Sequence, residues 1–419
     1  MRYVKPHYYD NFRCIADKCP DTCCAGWQIV IDDDALEKYS RVTGPFGNRL
    51  YTSIDWREGI FRQKKGRCSF LNDKNLCDLY KELGEGALCR TCSMYPRHVE
   101  EFDGLRELSL SLSCPVAAEM ILTCKEPLVL LEEETDEEEE LAEEFEDFDT
   151  LMFTQLEDAR AVIFAVMQER TIPVKKRIQS VIDLAKNMQQ CIDEERYYDV
   201  DEVIRQYQQN MQVSVADRHE SESIAQNHAK NTGWNQDTGW ESESRYDKMC
   251  REYQIFNKLE RLREEWSDML DQAWVILYQQ GETSYQRLCK EFDRCFGFDS
   301  EYHEEWSLFT ENLMLFFVYT YFCGAVYDDQ VYSKIALAQF SVCWIQELIM
   351  ATWTAKTRQM SDNKPPTSEP TDICNTFFDW HLCIETAYRY AREIEHSDDN
   401  LNILEDYLHQ ASPTGQPPL

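Results

Sequence analysis

Apolar residues recur at three- and four-residue steps through most of the chain beyond residue 150, the spacing of amphipathic helices. Leu151, Leu156, Ala159, Ile163 and Val166 predict one helix and Ile178, Val181, Ile182 and Leu184 a second, with Pro173 dividing them. Phe256, Leu259, Leu262, Trp266, Leu270 and Trp274 predict a continuous amphipathic helix, followed by helices near 283–294, 301–327 and 331–354 and a last one from Phe377 to Glu395. The apolar run Leu313–Tyr327 is too short to span a bilayer, and Ile335–Trp353 is broken by Gln339, Gln346 and Glu347. Both are expected as buried core helices, with no transmembrane segment. The first 127 residues contrast with this. They carry few long periodic runs and are punctuated at Gly44-Pro45, Gly47, Gly66, Gly84 and Gly86.

These shifts predict a mainly α protein: a cysteine-rich metal-binding N-terminal domain of short irregular elements, followed by an α-helical domain. The boundaries read from composition are 1–127 for the cysteine-rich unit, 128–149 for an acidic linker, 150–205 for a helical segment, 206–246 for a polar, mobile insertion, 247–411 for the helical domain and 412–419 for a disordered tail. The acidic stretch from Glu132 to Asp149 reads as a solvated linker or surface helix. The insertion repeats Thr232-Gly233-Trp234 as Thr238-Gly239-Trp240, and Lys364–Pro370 reads as a second linker.

A formal charge of -34 over 419 residues narrows the partners. Such a surface repels phosphate backbones and anionic lipids, so neither nucleic acid nor a membrane is expected as a partner, whereas cationic groups are attracted. Residues Met1–Asp10 show no signal-peptide pattern, so a reducing cytoplasm is the expected location.

Ten of the eighteen cysteines fall in the first 124 residues: Cys14, Cys19, Cys23, Cys24, Cys68, Cys77, Cys89, Cys92, Cys114 and Cys124. A disulfide framework, a set of ordinary buried thiols and a metal site all begin from such a count. The compartment disfavours the first, and the density of short spacings favours the last. Only Cys19-x3-Cys23 and Cys89-x2-Cys92 have the paired form common in zinc sites, so the irregular spacing favours a four-iron cluster, with zinc as the alternative. The three-cysteine arrangement of radical enzymes is not formed, because Gly26 stands where its third cysteine belongs. The chain has no Walker loop, G-x-S-x-G, H-E-x-x-H or dinucleotide fingerprint. His7 and His98 sit near cysteines and are secondary ligand candidates.

Four motifs give a sharper expectation. Cys19-Pro-Asp-Thr-Cys23-Cys24-Ala-Gly-Trp27, Cys68-Ser-Phe-Leu71 with Cys77-Asp-Leu-Tyr80, Leu88-Cys-Arg-Thr-Cys92-Ser-Met-Tyr95-Pro96-Arg97, and Leu108-Ser-Leu-Ser-Leu-Ser-Cys114-Pro115 together resemble the bacterial flagellin lysine N-methylases. The likeness continues more loosely through Glu169–Arg177 and Glu311–Phe317. The resemblance implies methyl transfer from S-adenosylmethionine to lysine side chains of flagellin, and a [4Fe-4S] cluster held in the cysteine-rich region. Carried over by position, its metal residues are Cys14, Cys19, Cys23, Cys24, Cys68, Cys77, Cys92 and Cys114. Cys89 departs from the family's pattern and ranks below these, and Cys124 lies outside it.

A lysine must shed its proton, from a pKa of about 10.4, before it can attack a methyl group. With 22 tyrosines and 77 acids the sequence singles out no acceptor, and it leaves the S-adenosylmethionine site unlocated. Arg97 is offered as a carboxylate holder, with a structural ion pair as the other reading. Two further functions fit the same cysteines: a metal-chelating or electron-transfer protein, or a zinc-stabilised adaptor, each with a helical domain that binds a partner.

Overall fold

The computed structural model describes residues 1–136, 145, 147–209, 243–362 and 378–410. Its helices are α1 (Asp33–Ser40), α2 (Gly44–Ser53), α3 (Asp78–Leu83), α4 (Arg90–Met94), α5 (Pro115–Leu122), α6 (Thr150–Met167), α7 (Val174–Asp193), α8 (200–209), α9 (Arg245–Phe256), α10 (Glu264–Ala273), α11 (Glu282–Cys295), α12 (His303–Tyr321), α13 (Val331–Asp362), α14 (Trp380–Glu395) and α15 (Asp398–Gln410). The mainly α expectation holds. Most of the insertion read at 206–246, the Lys364–Pro370 linker and the tail at 412–419 lie outside the described residues.

The N-terminal segment contains a sheet that its irregular spacing did not announce. Strands β1 (Arg2–Pro6), β6 (Arg97–Phe102), β7 (Leu105–Leu110) and β8 (Leu130–Glu134) form one four-stranded sheet in the order β6-β7-β1-β8. Two-residue strands β2 (Ile54–Asp55) with β3 (Ile60–Phe61), and β4 (Gln63–Lys64) with β5 (Arg67–Cys68), make two small ladders. β6 and β7 are joined at Asp103-Gly104, where Gly104 takes a φ of 66° that an L side chain rarely adopts. β1 runs parallel to β7 and antiparallel to β8. The acidic stretch therefore opens as an edge strand, Glu132, Glu133 and Glu134 pairing with Val4, Tyr3 and Arg2. An edge strand needs only backbone partners on one side, so its glutamates stay in water while Leu130 packs on the core.

The sheet belongs to the helical core. Val4, Phe102, Leu105 and Leu110 pack in one buried cluster with α6, α7, α12, α13 and α14. The Tyr319 hydroxyl on α12 donates to the carbonyls of Val4 (3.2 Å) and Leu108 (3.1 Å), docking α12 on two strands at once. Arg160 on α6 makes a two-pronged pair with Glu107 on β7, both side chains 4% exposed. A second, smaller core gathers Ile29, Ile31, Tyr39, Leu50, Phe61, Phe70 and their neighbours among α1, α2, α3 and the two ladders.

Two helices, His303–Tyr327 and Val331–Gln359, are long and apolar enough to cross a membrane, but 83% and 89% of their apolar windows are buried within the fold. They act here as core helices, as expected, although the first is longer than the apolar run Leu313–Tyr327 read from the sequence.

The continuous helix expected through Phe256–Trp274 is instead divided. α9 ends at Phe256 and α10 begins at Glu264. Between them the backbone N–H of Glu260 donates to Asn400 Oδ1 (2.7 Å) and that of Leu262 to Glu393 Oε2 (2.9 Å). These distant acceptors supply what the next helical turn would have supplied, so the apolar periodicity survives while the helix does not.

Candidate functional site

Nine cysteines of the N-terminal segment lie close enough to influence one another, and all ten are free thiols. Cys23 Sγ and Cys24 Sγ are 4.0 Å apart, and the Cys68 backbone N–H donates to the Cys24 carbonyl. The Cys23 thiol is held well above its ordinary proton affinity by its contact with Cys24 and by burial. Cys92 is raised in the same way by Cys89, then by burial and the charges of Cys24 and Cys68. Burial lifts Cys68 to about 11, with Cys77 and Cys89 adding to it, and burial also lifts Cys114 to about 11, with Cys19 and Cys23 adding. Thus the fold gathers Cys14, Cys19, Cys23, Cys24, Cys68, Cys77, Cys92 and Cys114 in one region and buries Cys89 among them. Cys124 stands apart, 3.7 Å from His7 Nε2. Among the described residues no three His, Cys, Asp or Glu side chains converge as a group that holds a metal ion.

Three of the four motifs also meet at a second place, the C-terminal end of α14. The rings of Trp27 and His396 stack at 4.8 Å, and Tyr95 closes the cluster at 6.0 Å from His396. Ser113 accepts or donates at both Tyr95 Oη and His396 Nε2, each at 3.0 Å. Ser111 bridges Ser113 to Glu395. Arg392 Nε donates to the Ser113 carbonyl (2.8 Å), and its guanidinium pairs with Asp21 in the first cysteine loop. Arg263, from the break between α9 and α10, pairs with the same Asp21 and donates to the Ala25 carbonyl. Arg263 packs directly on Gly26, whose φ of 85° already excludes most side chains. The glycine of the first motif is thus required twice, by its backbone and by the arginine laid against it.

Electrostatics mark this seam as unusual. Burial raises Glu393 and Glu395 each to about 7. Burial, then the charges of Arg392 and Arg263, lowers His396 to about 3, so its ring is neutral. Of eleven buried side-chain polar atoms without a hydrogen-bond partner among the described residues, five are here: Arg263 Nε, Arg392 Nη2, Glu393 Oε1, Glu395 Oε1 and His396 Nδ1. Buried polar atoms are nearly always paired, so a concentration of unpaired ones points to a place where something binds. Beside the seam opens a cleft of 470 Å³, bounded by the first cysteine loop, α5, α10 and α14.

The minor candidates resolve differently. His98 pairs with Glu100 at 3.1 Å, and the Arg97 guanidinium lies 5.2 Å over the Phe12 ring and 5.8 Å over Tyr9, so the carboxylate partner considered for Arg97 is replaced by aromatic faces. Arg392, Glu393, Glu395 and His396 were not legible as site residues, because nothing in a buried helix end distinguishes them before Trp27, Tyr95 and Ser113 are brought against it. Trp27, Tyr95 and Ser113 were legible as motif members, though not as one cluster.

A mainly helical protein with a thiol-rich N-terminal segment and a buried polar seam is the class that these features define. The model of the FliB lysine N-methylase C-terminal domain matches residues 160–415, more than half of the chain, and the protein belongs to that family. A flagellar biosynthetic protein FliU from Salmonella muenchen is 28% identical over 141 residues, covering 32% of this chain and 83% of that protein. Lysine-N-methylases from Salmonella choleraesuis (strain SC-B67) and Salmonella typhimurium (strain LT2) are each 29% identical over 138 residues, covering 31% of this chain and 34% of theirs. The matched stretch therefore spans about a third of the length of those two lysine-N-methylases. No solved structure matches.

Proposed function

We propose that this protein is a cytoplasmic protein-lysine N-methyltransferase that transfers methyl groups from S-adenosylmethionine to lysine side chains of flagellin. The observation that carries this reading is family membership across residues 160–415, beside relatives named for lysine methylation and flagellar biosynthesis. S-adenosylmethionine, when bound, supplies an electrophilic methyl group on a positively charged sulfur. The chain's part is to attract a cationic substrate, shield it from water and accept its proton. Its net charge of -34 serves the first. For the last, carboxylates held near 7 at the α14 seam match the requirement that a catalytic base titrate near working pH.

The thiols of the N-terminal segment are proposed to hold a [4Fe-4S] cluster, with zinc as the alternative. The donor chemistry fits, since thiolates suit both, and a cation would offset the burial and thiol contacts that raise the proton affinity of Cys23, Cys68, Cys92 and Cys114. The arrangement described does not close a ligand shell. No chemical step is assigned to the cluster.

Protein purified without oxygen, with its iron, zinc and acid-labile sulfide measured, is to be incubated with S-adenosylmethionine and flagellin. An increase in flagellin mass located at lysines is the expected result. Unchanged mass with metal intact would remove the methyltransferase reading, and stoichiometric zinc without sulfide would remove the cluster.

A further inference from the structure

We propose that the cleft beside α14 seats a protonated primary amine at the end of an aliphatic stem, the form of a substrate lysine side chain, and that Glu393 is the residue that holds its ammonium. The proposal rests on the lysine reading above and gives it a location. Glu393 is 1% exposed and lines the cleft. Its Oε2 accepts the Leu262 N–H, while its Oε1 has no donor. A buried carboxylate oxygen left without a donor is costly, and a ligand that brings one is correspondingly favoured.

The other lining groups select the kind of donor. Asp21, Glu119, Glu265 and Glu385 add negative charge around the cleft, against Arg263 and Arg389. Both arginines are already engaged, Arg263 with Asp21 and Arg389 with Glu385. The unpaired Nε of Arg263 is packed on Gly26, so it does not offer the cleft a free anion site. An anionic ligand is therefore disfavoured, and a neutral donor compensates the charge of Glu393 less than a cation does. A divalent cation requires several converging oxygens, and among the described residues no such group exists. An ammonium needs one strong acceptor and tolerates aromatic walls, which Trp266, Trp380 and Tyr388 supply. Those walls, with Ile384 and Val116, also suit a methylene stem. The cleft's volume of 470 Å³ leaves room for more than one side chain.

Calorimetry on the full-length protein with its metal content intact provides the test, using N-acetyl-lysine methylamide as probe and the norleucine and ε-acetyl-lysine analogues as controls. The lysine probe is expected to bind at least tenfold more tightly than either control, and Glu393→Gln to weaken it at least tenfold. Glutamine retains an acceptor for the Leu262 N–H, so a folded variant is expected. If it does not fold, Trp380→Ala on the cleft wall decides instead. Equal affinity for the norleucine analogue, or unchanged lysine affinity in the folded variant, overturns the proposal. Because no S-adenosylmethionine is present, the outcomes separate. Lysine binding lost in the variant without any methyl transfer keeps this site and removes the enzyme reading. Methyl transfer with lysine binding untouched by the variants does the reverse.

Discussion

The small core around Tyr39, Phe61 and Phe70 buries eleven apolar side chains, two of them cysteines, and is ringed by short helices and two-residue strands. The helical core buries α12 and α13 on nearly every face, and away from the α14 seam it pairs several of its interior charges. Glu311, 1% exposed, takes Arg177 and Arg170, and Glu347 takes Arg245 with the hydroxyls of Tyr278 and Tyr285. One region has too little apolar surface for its length and concentrates reduced thiols. The other has surface enough to carry buried ions. The difference teaches where a cross-linking ion would matter: it stabilises the region that cannot stabilise itself, and the helical core has no need of it.

The most forceful way to break that comparison is to strip metal from the protein. Loss of the proposed ion is expected to open the small core to protease between residues 14 and 92 while the helical core survives, because ligation energy at such a site is folding energy. Uniform cleavage of both regions, followed by mass spectrometry, would show that they do not differ. Next in size is Glu311→Ala, which leaves the buried Arg177 without its counter-ion and should cost about 3–5 kcal/mol by urea denaturation.

Gly26→Val probes the join between the regions. Its φ of 85° and the Arg263 guanidinium against it both oppose a side chain, and a loss of about 2–3 kcal/mol is expected, concentrated at the seam. Hydrogen exchange at Ala25 and Leu262 would locate it.

A smaller effect concerns pH. Glu395 is raised from 4.5 to about 7, so the folded state holds its proton more firmly than the unfolded state does. Its contribution is fully present below about pH 4.5 and is lost as pH rises through about 7. His396 runs oppositely, since a value lowered from 6.5 to about 3 loses its contribution as pH falls through that range. Glu395→Gln is therefore compared with the parent at each pH. It should gain on the order of 2 kcal/mol relative to the parent between pH 5 and pH 8, and a constant difference would refute the assignment. Smallest of all, Arg41→Ala at the exposed pair with Glu37 should change stability by only about 0.3–0.5 kcal/mol.

The legible parts of the fold were those with a period. The helices at 331–354 and Thr150–Met167 follow from apolar spacing, α13 running on to Asp362 beyond that reading, and Pro173 stands just before α7. The sheet was missed although Asp103-Gly104 carried a turn signal between β6 and β7, because β7 buries Arg106 and Glu107 and so does not alternate. The thiols were legible as a group because cysteine is rare. Their neighbourhood was fixed by pairings such as Cys68 N–H to the Cys24 carbonyl, which join residues far apart in sequence.

The sequence by itself determined the helices with strong periods, the acidic charge, the thiol-rich segment and the family to which these belong. All of these reside in local spacing or in composition, and neither requires knowing what the chain later touches. Only the tertiary structure decided that the helix through Leu259 breaks, since Glu393 and Asn400 arrive from more than a hundred residues away to take its backbone N–H groups. It likewise decided that Trp27, Tyr95 and Ser113 face His396, and that Glu393 carries an oxygen without a donor. Burial and the absence of a partner are properties of an assembled interior, and no single stretch of chain contains them.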